Sequence, residues 1–217
     1  MAVLVTGCPG NSNKGGGGGA ATGGGSTGDE TATFSLAWSE YPSWSVFGAA
    51  EDMGLIDGAA GAMGEFETKH GIDIELKELD YEPCLTAYAA GEVDAVCITN
   101  IDILSPALQR DSVAIMPTST SDGADACLVV GNLTVDQLKE IPTFGLERSV
   151  SQFCFERNLE LLKKNPVDFE FKQMDPAVAA GNMQANPDQT QSIVVWNPFV
   201  LETLRKQSKS RVLFDSS

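Results

Sequence analysis

The sequence predicts an α/β protein with two lobes, each a mostly parallel sheet covered by helices. Strand-like and helix-like segments alternate along the chain with short Gly or Asn breaks, which is typical of parallel sheets. The alternation starts again after a polar, Gly-containing run at 119–126. The chain has 217 residues, enough for two lobes of about 100 residues that each bury a core. We place the first lobe at 31–121 and the second at 122–217.

Residues 1–30 are expected to lie outside both lobes. Val5-Thr6-Gly7-Cys8 has the small-residue-then-Cys pattern of a bacterial lipobox, in which the Cys thiol is lipidated and becomes the mature N-terminus. The preceding apolar segment of about 7–15 residues is missing, which suggests a start site assigned too late. A chance run of small residues is the alternative. Residues 14–28 are almost all Gly, Ala, Ser and Thr, the composition of a flexible tether.

In the first lobe, strands are predicted from apolar runs or alternation, and helices from caps and amphipathic spacing. Residues 72–77 alternate strictly, which indicates a strand with one solvated face. Ser43 is an N-cap residue for the first helix, and Gly54 ends that helix. The predicted strands are 33–38, 72–77, 93–98 and 112–117, and the predicted helices are 43–53, 64–69, 82–90 and 102–108.

The second lobe repeats this rhythm without a repeat in the sequence. Asn165-Pro166 ends one of its helices, because the residue before a proline disfavours helical backbone. The predicted strands are 126–130, 143–146, 168–172, 192–196 and 211–214, and the predicted helices are 135–139, 151–163, 176–185 and 198–206.

Composition argues against several classes of function. The net charge is −16, and between residues 31 and 109 only Lys69 and Lys77 are cationic. Nucleic acid and anionic membrane surfaces are therefore poor partners. No run approaches the roughly 20 apolar residues of a membrane-spanning helix.

Signatures of catalysis and of metal binding are sparse. The single histidine, His70, follows a charged segment where a solvated helix end is expected, and any catalytic triad would have to use it. The spacing of Cys84, Cys97, Cys127 and Cys154 fits no zinc or C-x-x-C pattern. Because two of these thiols fall in predicted buried strands, we expect inert core thiols, with a disulfide as the alternative. We expect no catalysis, no cofactor and no metal.

The first candidate ligand-binding residues follow the predicted strands of the first lobe. In open α/β sheets, ligands bind at the carboxyl ends of strands and against helix N-termini. Aromatic rings there suit a flat organic ring or an alkylammonium group, although Trp38 and Trp44 have core packing as an alternative. Thr99 and Asn100 follow a buried strand, with helix capping as the alternative. The first-lobe candidates are Trp38, Glu40, Tyr41, Trp44, Thr99 and Asn100.

In the second lobe, Ser149 and Ser151 put two hydroxyls at a predicted helix start, with Arg148 beside them. Such a corner can hold a carboxylate, sulfonate or phosphate, whereas capping alone needs one serine.

Trp196 and Asn197 end the strand at 192–196 and are the remaining candidates. Trp196 either faces Trp38 across a cleft and sandwiches a planar ligand, or lies buried beneath Phe199. The residues alone leave both arrangements open.

Five short segments resemble the substrate-binding proteins of bacterial ABC transporters in the nitrate, sulfonate, taurine and thiamine-pyrimidine precursor group. The resemblance runs from about Phe34 to Ser217 and is specific only as an ordered set. The segments are Gly91-Glu92-Val93-Asp94-Ala95-Val96, Thr99-Asn100, Ser121-Asp122-Gly123-Ala124-Asp125, Ser149-Val150-Ser151 and Val194-Val195-Trp196-Asn197-Pro198.

That resemblance implies a type II periplasmic-binding fold whose lobes close on a small organic solute. It also implies partnership with a permease and an ATPase. The lipobox-like start argues for an extracytoplasmic location, with contact with the membrane through the lipid anchor alone. It adds Thr120, Ser121 and Asp122, at the connection between the lobes, to the ligand-binding candidates. The few cations of the first lobe favour an organic solute with an aromatic or amine part over nitrate or bicarbonate.

Two alternatives and one structural expectation accompany this interpretation. The alternatives are a pyrimidine-precursor synthase on the same fold, whose histidine and cysteine-rich motif are unmatched here, and a ligand-sensing domain of a regulator. In two-lobe binding proteins the chain crosses back to the first lobe, whereas this chain stops at Ser217, just after a strand. We therefore expect a C-terminal truncation and an exposed apolar patch on the first lobe.

Overall fold

The computed structural model describes residues 2–7, 31–104 and 110–217, with residues 2–7 described by their backbone. The chain up to residue 119 builds a five-stranded sheet and the helices that cover it. The elements are β1 (Ala2–Gly7), β2 (Ala32–Trp38), α1 (Val46–Asp52), α2 (Glu65–His70), β3 (Ile72–Glu78), α3 (Tyr81–Ala90), β4 (Ala95–Thr99), a 3-10 turn (Asp102–Leu104) and β5 (Ser112–Ser119).

The chain from residue 125 onward builds a second five-stranded sheet. Two of its helical segments, Val135–Glu140 and Pro166–Asp168, are 3-10 turns. The other elements are β6 (Asp125–Val130), β7 (Thr143–Gly145), α4 (Val150–Leu161), β8 (Phe171–Gln173), α5 (Pro176–Ala185), β9 (Ser192–Trp196), α6 (Phe199–Lys206) and β10 (Ser210–Asp215).

The two sheets share one arrangement of strands. Their orders are β3-β2-β4-β1-β5 and β10-β6-β9-β7-β8. In the first sheet β2 is parallel to β3 and β4, while β1 is antiparallel to β4 and β5. In the second sheet β7 is parallel to β8 and β9, while β6 is antiparallel to β9 and β10. Four strands of each sheet therefore run one way and one runs the other, which confirms the predicted mostly parallel α/β fold.

The expectation that residues 1–30 lie outside the lobes is wrong for Ala2–Gly7. This segment forms β1, which pairs with β4 on one side and β5 on the other. Its apolar Val3-Leu4-Val5 run has strand propensity. Its backbone N–H and C=O groups are hydrogen-bond partners for the facing edges of β4 and β5, which would otherwise be unpaired there. Cys8 and the Gly-rich run at 14–28 lie outside the described residues.

The core is continuous from the first sheet into the second half of the chain. Leu146 and Trp196 pack in the same buried cluster as Trp44, Tyr81 and Ile98 of the first half. Since a single apolar cluster contains residues from both halves, the lobes are in contact along the face where their strands end.

The four cysteines of the lobes are free thiols, and all are buried, as the sequence predicts. Burial is the main reason that the pKa values of Cys84 and Cys127 are raised, each to about 12. These thiols are therefore protonated core groups at neutral pH.

The edge strand β5 carries apolar side chains that remain accessible. Val113, Ile115 and Met116 are each about half exposed. The predicted helix at 102–108 begins with a 3-10 turn at Asp102–Leu104, and the rest of it lies outside the described residues. Over the described part of the chain, none of the helices has the length and apolar character to cross a bilayer.

Candidate functional site

Two adjoining cavities lie between the lobes. The acidic cavity has a volume of about 270 Å³ and is lined by four carboxylate side chains together with Tyr81 and Trp196. The aromatic cavity has a volume of about 180 Å³ and shares Tyr81 and Trp196 with the first. The four carboxylates are Glu40, Asp80, Glu82 and Asp175; the other residues of the aromatic cavity are Tyr41, Trp44, Thr99 and Val150.

The cavities form where parallel strands end. Three strands of each sheet point their carboxyl ends at this region, so each lobe contributes residues from three strand ends. The residues at or just after these ends are Glu40 for β2, Asp80 for β3, Thr99 for β4, Leu146 for β7, Asp175 for β8 and Trp196 for β9.

Four aromatic rings enclose the aromatic cavity. Trp44 and Tyr81 are stacked, with ring centroids 5.6 Å apart and planes inclined by 16°. Trp196 meets Tyr81 edge-to-face at 5.7 Å and Tyr41 at 6.4 Å. All four side chains are at most 8% exposed. The rings therefore form a fixed apolar wall to which both lobes contribute.

A buried hydrogen-bond network holds Tyr81 in that wall. Its hydroxyl donates to Asp102 Oδ2 at 2.6 Å and accepts from the Thr99 backbone N–H at 3.0 Å. The Thr99 hydroxyl donates to the same carboxyl oxygen at 2.7 Å. Burial raises the pKa of Asp102, and the hydrogen bonds from Tyr81 and Thr99 oppose that rise. Asp102 is thus a positioning residue that fixes the ring through its hydroxyl.

Glu40 lines the acidic cavity and contacts Trp196, which lines both cavities. Its Oε1 accepts a hydrogen bond of 3.4 Å from the indole Nε1 of Trp196, a contact from the first lobe to the second. Burial is the main reason that the pKa of Glu40 is raised, and the negative charges of Asp80 and Asp175 raise it further. Burial and the neighbouring carboxylates thus both oppose the ionisation of Glu40.

The other three carboxylates are exposed and surround the mouth of the acidic cavity. Asp175 caps α5 by accepting from the backbone N–H groups of Ala177 and Val178. Asp80 occupies the N-cap position of α3, yet its side chain makes no capping hydrogen bond. Glu82 lies 3.4 Å from Gln173 Nε2, across the cleft. Asp80 and Glu82 therefore keep oxygen atoms available at the mouth.

The serine-rich helix start of the second lobe is buried. Ser149 is the N-cap of α4: its hydroxyl accepts from the Ser151 N–H at 3.2 Å and donates to the Leu146 carbonyl at 2.8 Å. Ser151 is 1% exposed, and its hydroxyl has no partner among the described residues. Arg148 is exposed and does not line either cavity. The neighbour that does reach the aromatic cavity is Val150.

Trp38 does not line either cavity. It is 5% exposed and packs under α1, where its ring lies within 2.8 Å of the position a Cβ would take at Gly48. Trp38 is therefore a core residue, the alternative given for it above. Trp38 and Trp196 do not face each other across a cleft. Instead, Trp196 is buried against Phe199, at 6.5 Å, and also borders both cavities.

The remaining predicted residues lie outside the cavity walls. Asn100, Thr120 and Asp122 are exposed. The Ser121 hydroxyl donates to Asp125 and lies 2.8 Å from the Ser216 hydroxyl, so it ties the connection between the sheets to the end of the chain. The Asn197 backbone N–H donates to the Ala124 carbonyl at 3.0 Å, beside the same connection.

Sequence reasoning missed Tyr81 and three of the carboxylates. Asp80, Glu82 and Asp175 follow β3 and β8, so the rule that ligands lie at strand ends applies to them as well. That rule, used on every strand instead of on the most apolar ones, would have found them.

Catalytic or metal-binding groups do not gather at the cavities. His70 is exposed at the end of α2 and does not line either cavity. Over the described residues, no three His, Cys, Asp or Glu side chains converge closely enough to hold a metal ion.

The chain has the two-lobe α/β fold of type II periplasmic-binding proteins, with cavities between the lobes. The aliphatic sulphonate binding protein SsuA of Escherichia coli is similar in structure, with a TM-score of 0.64 and 19% identity, over 86% of this chain and 61% of that one. The alkanesulfonate-binding protein SsuA of Xanthomonas axonopodis pv. citri, bound to MOPS, has a TM-score of 0.66 and 21% identity over the same shares.

A third similar structure is the ligand-binding component of an ABC-type import system from Staphylococcus aureus, with zinc bound. It has a TM-score of 0.58 and 12% identity over 85% of this chain and 61% of that one. The chain thus spans about 61% of the length of these three structures, and at these identities the likeness shows the fold. No protein-family model and no curated protein matches the sequence.

Proposed function

We propose that this protein is an extracytoplasmic solute-binding protein that captures a small organic solute between its lobes and delivers it to an ABC transporter. The observation that carries the proposal is the meeting of six strand ends, three from each sheet, at two connected cavities. Ligands of open α/β folds bind at this position. One solved structure with the same fold is named as the ligand-binding component of an ABC-type import system, and another as a periplasmic sulphonate binding protein.

The two cavities are small and partly open, since their volumes of about 270 and 180 Å³ include space that is open to solvent. Because the walls come from both lobes, a solute enters when the lobes separate and is enclosed when they close. The connection between Ser119 and Asp125 is the hinge in this proposal.

Delivery requires partners outside the chain, a permease and an ATPase. The protein acts without catalysis in this proposal, which requires only that the solute be bound and released. No observation favours the synthase or the sensor over solute capture.

Lipid anchoring at Cys8 has a decisive test, because processing before Cys8 would remove Ala2–Gly7, the residues of β1. The mass of the mature protein, exported from a bacterial host, separates the two forms. Loss of residues 1–7 with a gain of acyl chains supports the anchor. Retention of residues 1–7 contradicts it and agrees with β1 in the sheet.

Solute capture is tested by native mass spectrometry of gently purified protein. We expect one small molecule to co-purify per chain. Val150→Phe should abolish this binding, because the larger side chain fills the aromatic cavity. Val178→Phe is the matched control: Val178 is 52% exposed on α5 in the same lobe and does not line either cavity. Equal occupancy in the two folded variants would contradict the proposed site.

A further inference from the structure

The walls of the two cavities carry charge of one sign. Glu40, Asp80, Glu82 and Asp175 contribute carboxylates, and none of the described residues that line either cavity is a Lys or Arg. Three of these groups interact electrostatically, since Asp80 and Asp175 both oppose the ionisation of Glu40. A negatively charged solute would add to this repulsion, and a positively charged one would relieve it. The net charge of −16 also favours the approach of a positively charged solute from solvent over that of a negatively charged one.

The aromatic cavity offers a cation the second kind of partner it needs. Tyr41, Trp44, Tyr81 and Trp196 present four rings whose neighbouring centroids are 4.9–6.4 Å apart. A cation within about 6 Å of a ring centroid is attracted to the ring face, most strongly for Trp and where water is excluded. Glu40 accepts a hydrogen bond from the indole N–H of Trp196, which lines both cavities, so the carboxylate lies at the edge of a ring of the aromatic cavity.

A buried donor in this wall lacks a partner. Trp44 is 1% exposed, and its indole Nε1 makes no hydrogen bond within the described part of the chain. Buried N–H groups nearly always have a partner in native proteins. Because Trp44 lines the aromatic cavity, this indole N–H is a donor that an oxygen atom of a bound solute can use.

An organic cation fits these walls better than a metal ion. The acidic groups of the described chain do not converge in threes, whereas a hard metal ion needs several oxygen ligands at about 2.0–2.6 Å. Apolar rings also contribute no ligands to a metal, but they pack well against methyl or methylene groups.

We propose that the solute is a small alkylammonium ion that also carries an oxygen atom, an inference that rests on the proposed function. Its charged group lies at Glu40 between the acidic mouth and the aromatic rings, and its oxygen accepts from Trp44. The ligand charge is therefore opposite to that of the sulfonates named for two of the similar structures.

The test is calorimetric titration of the protein with three ligands: choline, methanesulfonate, and the neutral isostere of choline. In the isostere, a carbon atom replaces the quaternary nitrogen. We expect choline to bind at least about tenfold more tightly than the isostere, the combined effect of several ring contacts and one carboxylate. Glu40→Gln should weaken choline about tenfold and leave the isostere unchanged. Glu92→Gln, an exposed carboxylate beyond α3, is the matched control and should change neither.

Equal affinity for choline and the isostere, tighter binding of methanesulfonate, or an unchanged choline affinity in Glu40→Gln would overturn the inference. So would the absence of binding by choline, tetramethylammonium and ethanolamine at millimolar concentration. In each case, the proposed function would still hold if a neutral or anionic solute co-purifies with the protein and is lost in Val150→Phe. If no co-purifying solute is lost in Val150→Phe, both the proposed function and the cation inference are contradicted.

Discussion

Removing the hydroxyl of Tyr81 tests whether the aromatic wall is built as described. Tyr81→Phe keeps the ring but deletes a 2.6 Å hydrogen bond to Asp102 and leaves the Thr99 N–H, which donates to Tyr81 at 3.0 Å, without its acceptor. A hydrogen bond to a carboxyl group contributes about 1.5–3 kcal/mol, and a buried donor left unpaired costs about 1–3 kcal/mol. Because such losses overlap, we expect the free energy of unfolding to fall by about 3 kcal/mol.

Tyr88→Phe makes the same chemical change on the same helix and serves as the control. Tyr88 donates at 2.8 Å to Ser112, an exposed hydroxyl that water can satisfy, so the expected loss is about 1 kcal/mol. Urea unfolding at constant m-value measures both losses. Solute affinity should fall for Tyr81→Phe alone. Equal losses of stability, or a loss below about 1 kcal/mol for Tyr81→Phe, would refute the role of the Asp102 network.

Three other changes have separable outcomes. Gly48→Ala should gain about 1 kcal/mol of helix propensity but lose about 1–3 kcal/mol, because the new Cβ would lie 2.8 Å from the Trp38 ring. We therefore expect no net rise in the free energy of unfolding and no change in solute affinity, and a rise of about 1 kcal/mol in urea unfolding would contradict the core position of Trp38. Asp175→Ala should lose a helix cap as well as cation affinity, at about 1 kcal/mol of stability, whereas Asp175→Asn should lose only affinity. Choline affinity should fall as the pH decreases through the raised pKa of Glu40, because the ionised carboxylate binds the cation and its protonated form does not. Calorimetry at several pH values should show a weaker pH dependence of choline affinity in Glu40→Gln. The same pH dependence in both proteins would refute the role of Glu40 in binding the cation.

Most elements of the fold are readable from local sequence, because their periods and caps agree with the tertiary structure. The strand predicted at 72–77 and the helix predicted at 176–185 differ little from β3 and α5. β1 is the exception. Its pairing depends on a slot between two strands about 90 or more residues away, and no local pattern in Ala2–Gly7 identifies that slot.

The candidate site was predictable in part. Glu40, Tyr41, Trp44, Thr99 and Trp196 lie in the cavity walls as their strand-end positions indicate.

Trp38 is also at a strand end, but its ring direction is decided by the close approach of Gly48, which only tertiary packing reveals. Asp80 and Asp175 have the sequence context of ordinary helix caps. Their contribution to a shared acidic mouth emerges only when the two sheets face each other.

We conclude that a solute binds where the strands of both lobes end, and a crystal structure of the protein with its co-purified solute is the decisive experiment. We expect density for a small molecule in contact with Glu40 of the first lobe and Trp196 of the second. A solute bound on one lobe alone, away from both residues, would contradict it.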